Sequence, residues 1–159
     1  LLRQGSVNYT GEYHSAAHQI NTPRGPQGGR MPLMLAGHGP RTMGLAVSHA
    51  DIWSGFATTS SEPGAFASMM DLFNAVCTEQ GRDPDTIGRS VGIDIHPPGA
   101  SDDHGWGLGS ALRGSVDELV TKLAEFADLG FTSFEIVVVG HTTEAIERLA
   151  PVVAAAKDI

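Results

Sequence analysis

The chain of 159 residues has one cysteine, Cys77, so no internal disulfide and no cysteine-built zinc cage can form. Such sparse cysteine use suits a reducing cytoplasm, the compartment expected for this chain. Basic residues are scarce as well: 10 Lys plus Arg stand against 18 Asp plus Glu, a formal net charge of −8. They are also scattered, whereas a nucleic-acid face needs clustered Lys and Arg to neutralise phosphates. No apolar run is long enough for a membrane helix, and no signal peptide precedes the first element. Nucleic acid and membrane are therefore not expected partners. Aromatic residues make up only 6% of the chain. Its 41% hydrophobic and 18% charged residues still suffice for a buried core, which excludes a disordered or fibrous chain.

What is present is a repeated order of short apolar runs and amphipathic segments. Residues 6 to 31 hold no sustained period and read as a long ordered loop, with a short hairpin around Tyr9-Thr10-Gly11-Glu12-Tyr13. Pro32-Leu33-Met34-Leu35-Ala36 is a short strand buried on both faces and closed by Gly37. Pro40 then fits the first position of a helix whose apolar stripe is Met43, Ala46, Val47 and Ala50. A second strand over residues 51 to 56 leads to a helix with Phe66, Met69, Met70, Phe73, Val76 and Cys77 on its apolar face. Thr58 to Ser61 are expected to cap that helix, and Gly81 to end it. Asp83 to Thr86 form a capped single turn, and Ser90 to His96 a third strand. Ser115 and Glu118 make a capping box before a helix with Val116, Leu119, Val120, Leu123, Phe126 and Ala127 on one face. A fourth strand spans residues 131 to 139, expected buried on both faces, and Gly140-His141-Thr142-Thr143 opens a last helix that Pro151 should kink or restart. Four strand–helix repeats with connections too long for hairpins mean a parallel α/β sheet. A doubly wound sheet and a (β/α)8 barrel both satisfy that order. A barrel needs about 250 residues, so four strands would be half of one.

The turn Gly37-His38-Gly39-Pro40 carries the clearest chemistry. Glycines let a backbone approach a phosphate closely, and the N–H groups at the start of the following helix favour an anion, with Arg41 as a further charged donor. The same glycines also suit a plain tight turn between strand and helix. A second constellation, Asp94, His96, Asp102, Asp103 and His104, falls around one strand end and its loop and offers ligands for a hard or borderline metal, although its spacing matches no defined motif. It leaves a metal-dependent hydrolase as an alternative; no metal is expected. His96 is the one candidate for catalysis, since a strand's C-terminal end faces the mouth of a barrel. His14 and His18 read as solvated, Glu135 as a structural residue within the last strand, and Cys77 as a small buried hydrophobe.

Pro32-Leu33-Met34-Leu35-Ala36-Gly37-His38-Gly39-Pro40-Arg41-Thr42-Met43, continued by Leu45-Ala46 and Ala50-Asp51-Ile52-Trp53, resembles the luciferase-like monooxygenases, the bacterial luciferase-like flavin and deazaflavin oxidoreductases. Val7-Asn8-Tyr9-Thr10-Gly11-Glu12-Tyr13, Cys77-Thr78-Glu79-Gln80-Gly81-Arg82-Asp83-Pro84 and Gly114-Ser115-Val116-Asp117-Glu118-Leu119 match in the same order, so the resemblance runs over nearly the whole chain. It implies a (β/α)8 barrel of which these strands are the fifth to eighth, the first half being absent, and an oxidoreductase that transfers hydride or oxygenates a small organic substrate. The cofactor implied is coenzyme F-420 or FMN. Its phosphate would lie at Gly37, His38, Gly39 and Arg41, with Trp53, Ser54 and Gly55 on the neighbouring strand end. Gly39-Pro40 leans to the deazaflavin F-420, while Ile52 stands where the family usually has glycine. The family's acid and base residues lie in the half that is absent, so no catalytic residue carries over. A catalytically inert half barrel that binds flavin or phosphate is the alternative. Strands cut from a barrel have bare edges, so the chain is expected to form a homo-oligomer or to associate with its missing N-terminal half.

Overall fold

The computed structural model describes residues 1–100 and 110–159. Two compact units result, Leu1–Leu33 and Met34–Ile159. The first holds an antiparallel hairpin of β1 (Ser6–Thr10) and β2 (Ser15–Ile20), joined by a turn in which Gly11 N–H donates to the His14 carbonyl at 2.8 Å. The hairpin expected in the early loop thus extends further than the sequence suggests.

The second unit alternates β3 (Met34–Ala36), α1 (Pro40–His49), β4 (Ile52–Phe56), α2 (Ala67–Gln80), β5 (Gly88–Ile95), α3 (Val116–Asp128), β6 (Ser133–Val138) and α4 (Thr143–Ala155). All neighbouring strands pair in parallel, in the order β3-β4-β5-β6. That order decides between the two architectures left open by periodicity. A doubly wound sheet reverses its strand order at a switch point, whereas here each strand is added on the same side, as in a barrel. Right-handed crossovers then lay the four helices on one face. Between sheet and helices sits the core, with Met43 and Val47 from α1, Phe73 from α2, Leu119 and Phe126 from α3, and Leu149 and Val152 from α4, all buried. The few aromatics concentrate there: Trp53 stacks on Phe73 at 4.8 Å between ring centroids, and Phe66 meets Phe126 edge-on at 5.2 Å.

Helix ends follow local chemistry. The Ser115–Glu118 capping box is complete, with the Glu118 N–H donating to Ser115 Oγ at 3.3 Å and the Ser115 N–H to Glu118 Oε2 at 2.7 Å. That backbone bond holds the Glu118 carboxyl below its ordinary value. Gly81 ends α2 in the left-handed conformation, at φ 64°.

Three expectations need correction. Thr58 to Ser61 do not cap α2, which starts after a 3₁₀ turn at Pro63–Phe66 and has no side-chain cap; Ser61 is buried instead and accepts the Asp94 N–H on Oγ at 3.0 Å. Pro151 does not restart α4, which runs through it from Thr143 to Ala155. The outer strands are not buried on both faces: β6 alternates in exposure despite its unbroken apolar run, and Val137 is 40% exposed. On the sheet face opposite the helices, Met34, Phe56 and Val137 are 42%, 39% and 40% exposed.

Candidate cofactor site

The C-terminal ends of β3 and β4 meet at the glycine turn. Gly37 leaves β3 and donates its N–H to the Ser54 carbonyl at 3.4 Å, while the Trp53 indole Nε1–H donates to the Gly37 carbonyl at 3.0 Å. Trp53 is fully buried on the helix-facing side, so its ring fixes the turn from below rather than lining an open pocket. The turn is also closed tightly at Gly37, where an added Cβ would lie 2.5 Å from Thr42 Oγ1. Thr42 in turn donates from Oγ1 to the Gly39 carbonyl at 3.0 Å.

Gly39 is different. It is the N-cap of α1 at φ −88° and ψ 155°, has no side-chain cap, and is followed by Pro40 at the first helical position. The first helical bond runs from the Met43 N–H to the Gly39 carbonyl at 2.9 Å, so the N–H groups of Arg41 and Thr42 have no acceptor inside the helix. An added Cβ at Gly39 would meet only Thr42 Oγ1, at 3.9 Å. Space in front of the helix end, no acidic residue in its first turn and an exposed Arg41 beside it are features that favour an anion.

His38 completes the rim. Its ring lies 3.9 Å from the Phe56 ring, and its Nε2 accepts the Phe56 N–H at 3.1 Å. An accepting Nε2 leaves the proton on Nδ1, so the imidazole is neutral and offers one donor. Burial pushes its pKa below the ordinary 6.5. A base whose pKa is lowered on folding costs stability as the pH falls below its unfolded value of 6.5, because only the unfolded chain then takes the proton freely. Thermal unfolding followed from pH 7.5 to 5 is expected to show this loss, and His38→Gln to remove that part of it.

Of the other residues singled out in the sequence, Gly55 faces α2, where an added Cβ would meet Met69 Sδ at 2.8 Å. Ser54 points to the opposite face, donating from Oγ to Glu135 Oε1 at 3.0 Å. Asp94 and His96 are buried at the end of β5; burial raises the Asp94 carboxyl and the His141 charge pulls it back. Asp102, Asp103 and His104 lie outside the described residues. Among the described residues, no group of three His, Cys, Asp or Glu side chains can hold a metal ion. Cys77 is buried in the core. Thr42 and Phe56 are site residues that motif reading missed; the only signal for Thr42 is its place three residues after Gly39, and for Phe56 there is none, since a backbone N–H makes its contact.

Residues 1–104 match the model of the luciferase-like monooxygenase family. No curated protein sequence matches the chain. Among solved structures, an F420-dependent secondary alcohol dehydrogenase in complex with an F420-acetone adduct superimposes with a TM-score of 0.71 at 14% identity, over 98% of this chain and 57% of that one. The coenzyme F420 dependent tetrahydromethanopterin reductase from Methanopyrus kandleri gives 0.68 at 19% identity, over 93% and 57%. A riboflavin lyase with modified FMN and riboflavin gives 0.72 at 13% identity, over 96% and 48%. The chain therefore spans about half the length of these structures, and its four βα units correspond to half of their barrel.

Proposed function

The chain belongs to the luciferase-like monooxygenase family, and on that premise we propose that it is the cofactor-phosphate half of an oxidoreductase that uses coenzyme F-420, or else FMN, on a small organic substrate. The observation that carries this reading is the open, uncapped helix start at Gly39, placed at the C-terminal end of a barrel strand where ligands of such folds lie. The residues present fit a phosphate: the N–H groups of Arg41 and Thr42 point out of α1, and the Arg41 guanidinium adds a charge-assisted donor. Gly39-Pro40 favours the deazaflavin. When bound, a cofactor of this class supplies the hydride chemistry itself.

The work of this chain's residues is then binding and orientation. Trp53 and Thr42 lock the turn from two sides, so the N–H groups are set before the anion arrives. His38, held neutral against Phe56, offers Nδ1–H as a donor without adding charge. His96 remains the candidate for proton transfer to substrate, at the end of β5. The bare edges of β3 and β6 are covered by a complementary half barrel or a second copy of the chain. Absorbance titration of the protein carrying the complete barrel tests the reading: saturable uptake of F-420 or FMN is expected, and binding of neither would sink it. Uptake with no bleaching of the cofactor by any alcohol or reduced donor would favour the inert binding half barrel.

A further inference from the structure

The sheet face opposite the helices has a gap at Gly92. Register sets Gly92 of β5 between Phe56 of β4 and Glu135 of β6, on the same face as Ser90, whose Oγ donates to Glu135 Oε1 at 2.8 Å. Neighbouring strands lie about 5 Å apart, so a side chain at Gly92 would fill the space between those two residues. An added Cβ would already lie 3.2 Å from Phe56 Cβ. The Phe56 ring, 39% exposed and backed by the His38 ring at 3.9 Å between centroids, borders the gap on one side, and the Glu135 carboxylate borders it on the other. Asp94 lies two residues further along β5 on this face, at the strand end where ligands of a barrel lie. Its backbone is held on both sides, the N–H by Ser61 Oγ at 3.0 Å and the carbonyl by the Leu112 N–H at 2.8 Å. Asp94 is only 9% exposed, yet among the described residues no donor bonds its carboxyl, which has the charge of His141, in the turn after β6, acting on it.

Two carboxylates and an aromatic ring around an empty position suit a positive charge that carries carbon. A buried carboxylate without a hydrogen bond is costly unless a cation meets it, and the face of a phenylalanine ring attracts the same charge. None of the strand residues on this face is Lys or Arg, so the strands supply no cation of their own. A metal ion fits less well. Such an ion takes several oxygen or nitrogen ligands, whereas the described residues gather no group of three, and Phe56 and Val137 give the gap a carbon rim. We propose that the hollow at Gly92 is a subsite for an organic ammonium group, the protonated amine of the substrate, held between the Asp94 and Glu135 carboxylates and against the Phe56 ring. Ser54 and Ser90 both donate to Glu135 Oε1, which fixes that carboxylate before the ammonium arrives. The proposal names a substrate class for the proposed function, and rests on that reading only in taking the amine to be the substrate's.

Amide chemical-shift titration of the whole chain with n-butylammonium, n-butanol and butyrate tests the proposal. The ammonium is expected to saturate, with its largest shifts at Phe56, Gly92 and Asp94, and to bind about tenfold more tightly than the alcohol, while butyrate leaves these amides unmoved. Asp94→Asn, neutral and nearly isosteric, is expected to lose about tenfold in ammonium affinity with that for butanol unchanged. Phe56→Leu keeps the bulk but not the ring face, is expected to lose about threefold, and carries the test if the Asn variant does not fold. Butanol bound as tightly as butylammonium, or ammonium affinity unchanged in either folded variant, would overturn the proposal. The titrations need no cofactor. Ammonium selectivity with no uptake of F-420 or FMN would therefore sink the function alone, and cofactor uptake without that selectivity would sink this proposal alone.

Discussion

Gly39→Asp is expected to leave the fold as stable as the wild type, or slightly more so, while it weakens cofactor binding about a hundredfold. Gly39 already has the extended backbone of an N-cap, and a Cβ has room there. An aspartate would accept from the orphan N–H groups of Arg41 or Thr42, and Asp exceeds Gly at this position by about a few tenths of a kcal/mol. Those N–H groups are the ones proposed for the phosphate. The carboxylate would both occupy them and repel the anion, an expected loss of about 3 kcal/mol, or some hundredfold in affinity. Thermal melts and a cofactor titration on the same samples separate the two effects. Unchanged affinity in this variant would remove the phosphate from the turn.

Trp53→Ala acts in the opposite way, through the core. The indole is fully buried, stacks on Phe73 and lies 6.1 Å from Phe131, so its truncation is expected to cost about 3–5 kcal/mol. Against the ~5–15 kcal/mol that holds a typical domain together, this is enough to unfold much of the population near body temperature. Trp53→Phe keeps most of the ring contact but loses the Nε1 bond to the Gly37 carbonyl, a change of about 1 kcal/mol in stability. If the turn must be locked before the phosphate binds, the phenylalanine variant loses affinity by more than its stability suggests. Urea unfolding for both variants, with cofactor titration for the second, gives the comparison.

The strand–helix order, the Ser115 box and the glycine turn were legible because each depends on neighbours within a few residues. Apolar spacing placed Met43, Ala46 and Val47 correctly on the buried face of α1, and the Cys77 side of α2 was likewise readable as core. Ser61 was misread because its partner, the Asp94 N–H, lies 33 residues away, and a cap and a distant acceptor look the same in sequence. Val137 misled for a different reason. A run such as Ile136 to Val139 reads as burial on both faces, whereas β6 alternates and Val137 on the side away from the helices is 40% exposed. Glu135 was readable as structural within its strand, yet its two serine partners come from β4 and β5 and only the sheet register joins them.

The phosphate grip at Gly39 is tested most directly by comparing FMN with riboflavin, and F-420 with its deazaflavin lacking the phosphate, on the protein carrying the complete barrel. Isothermal titration is expected to show the phosphate-bearing form of at least one pair binding about a hundredfold more tightly, a difference that Gly39→Asp removes. Equal affinities with and without the phosphate, in both pairs, would contradict it.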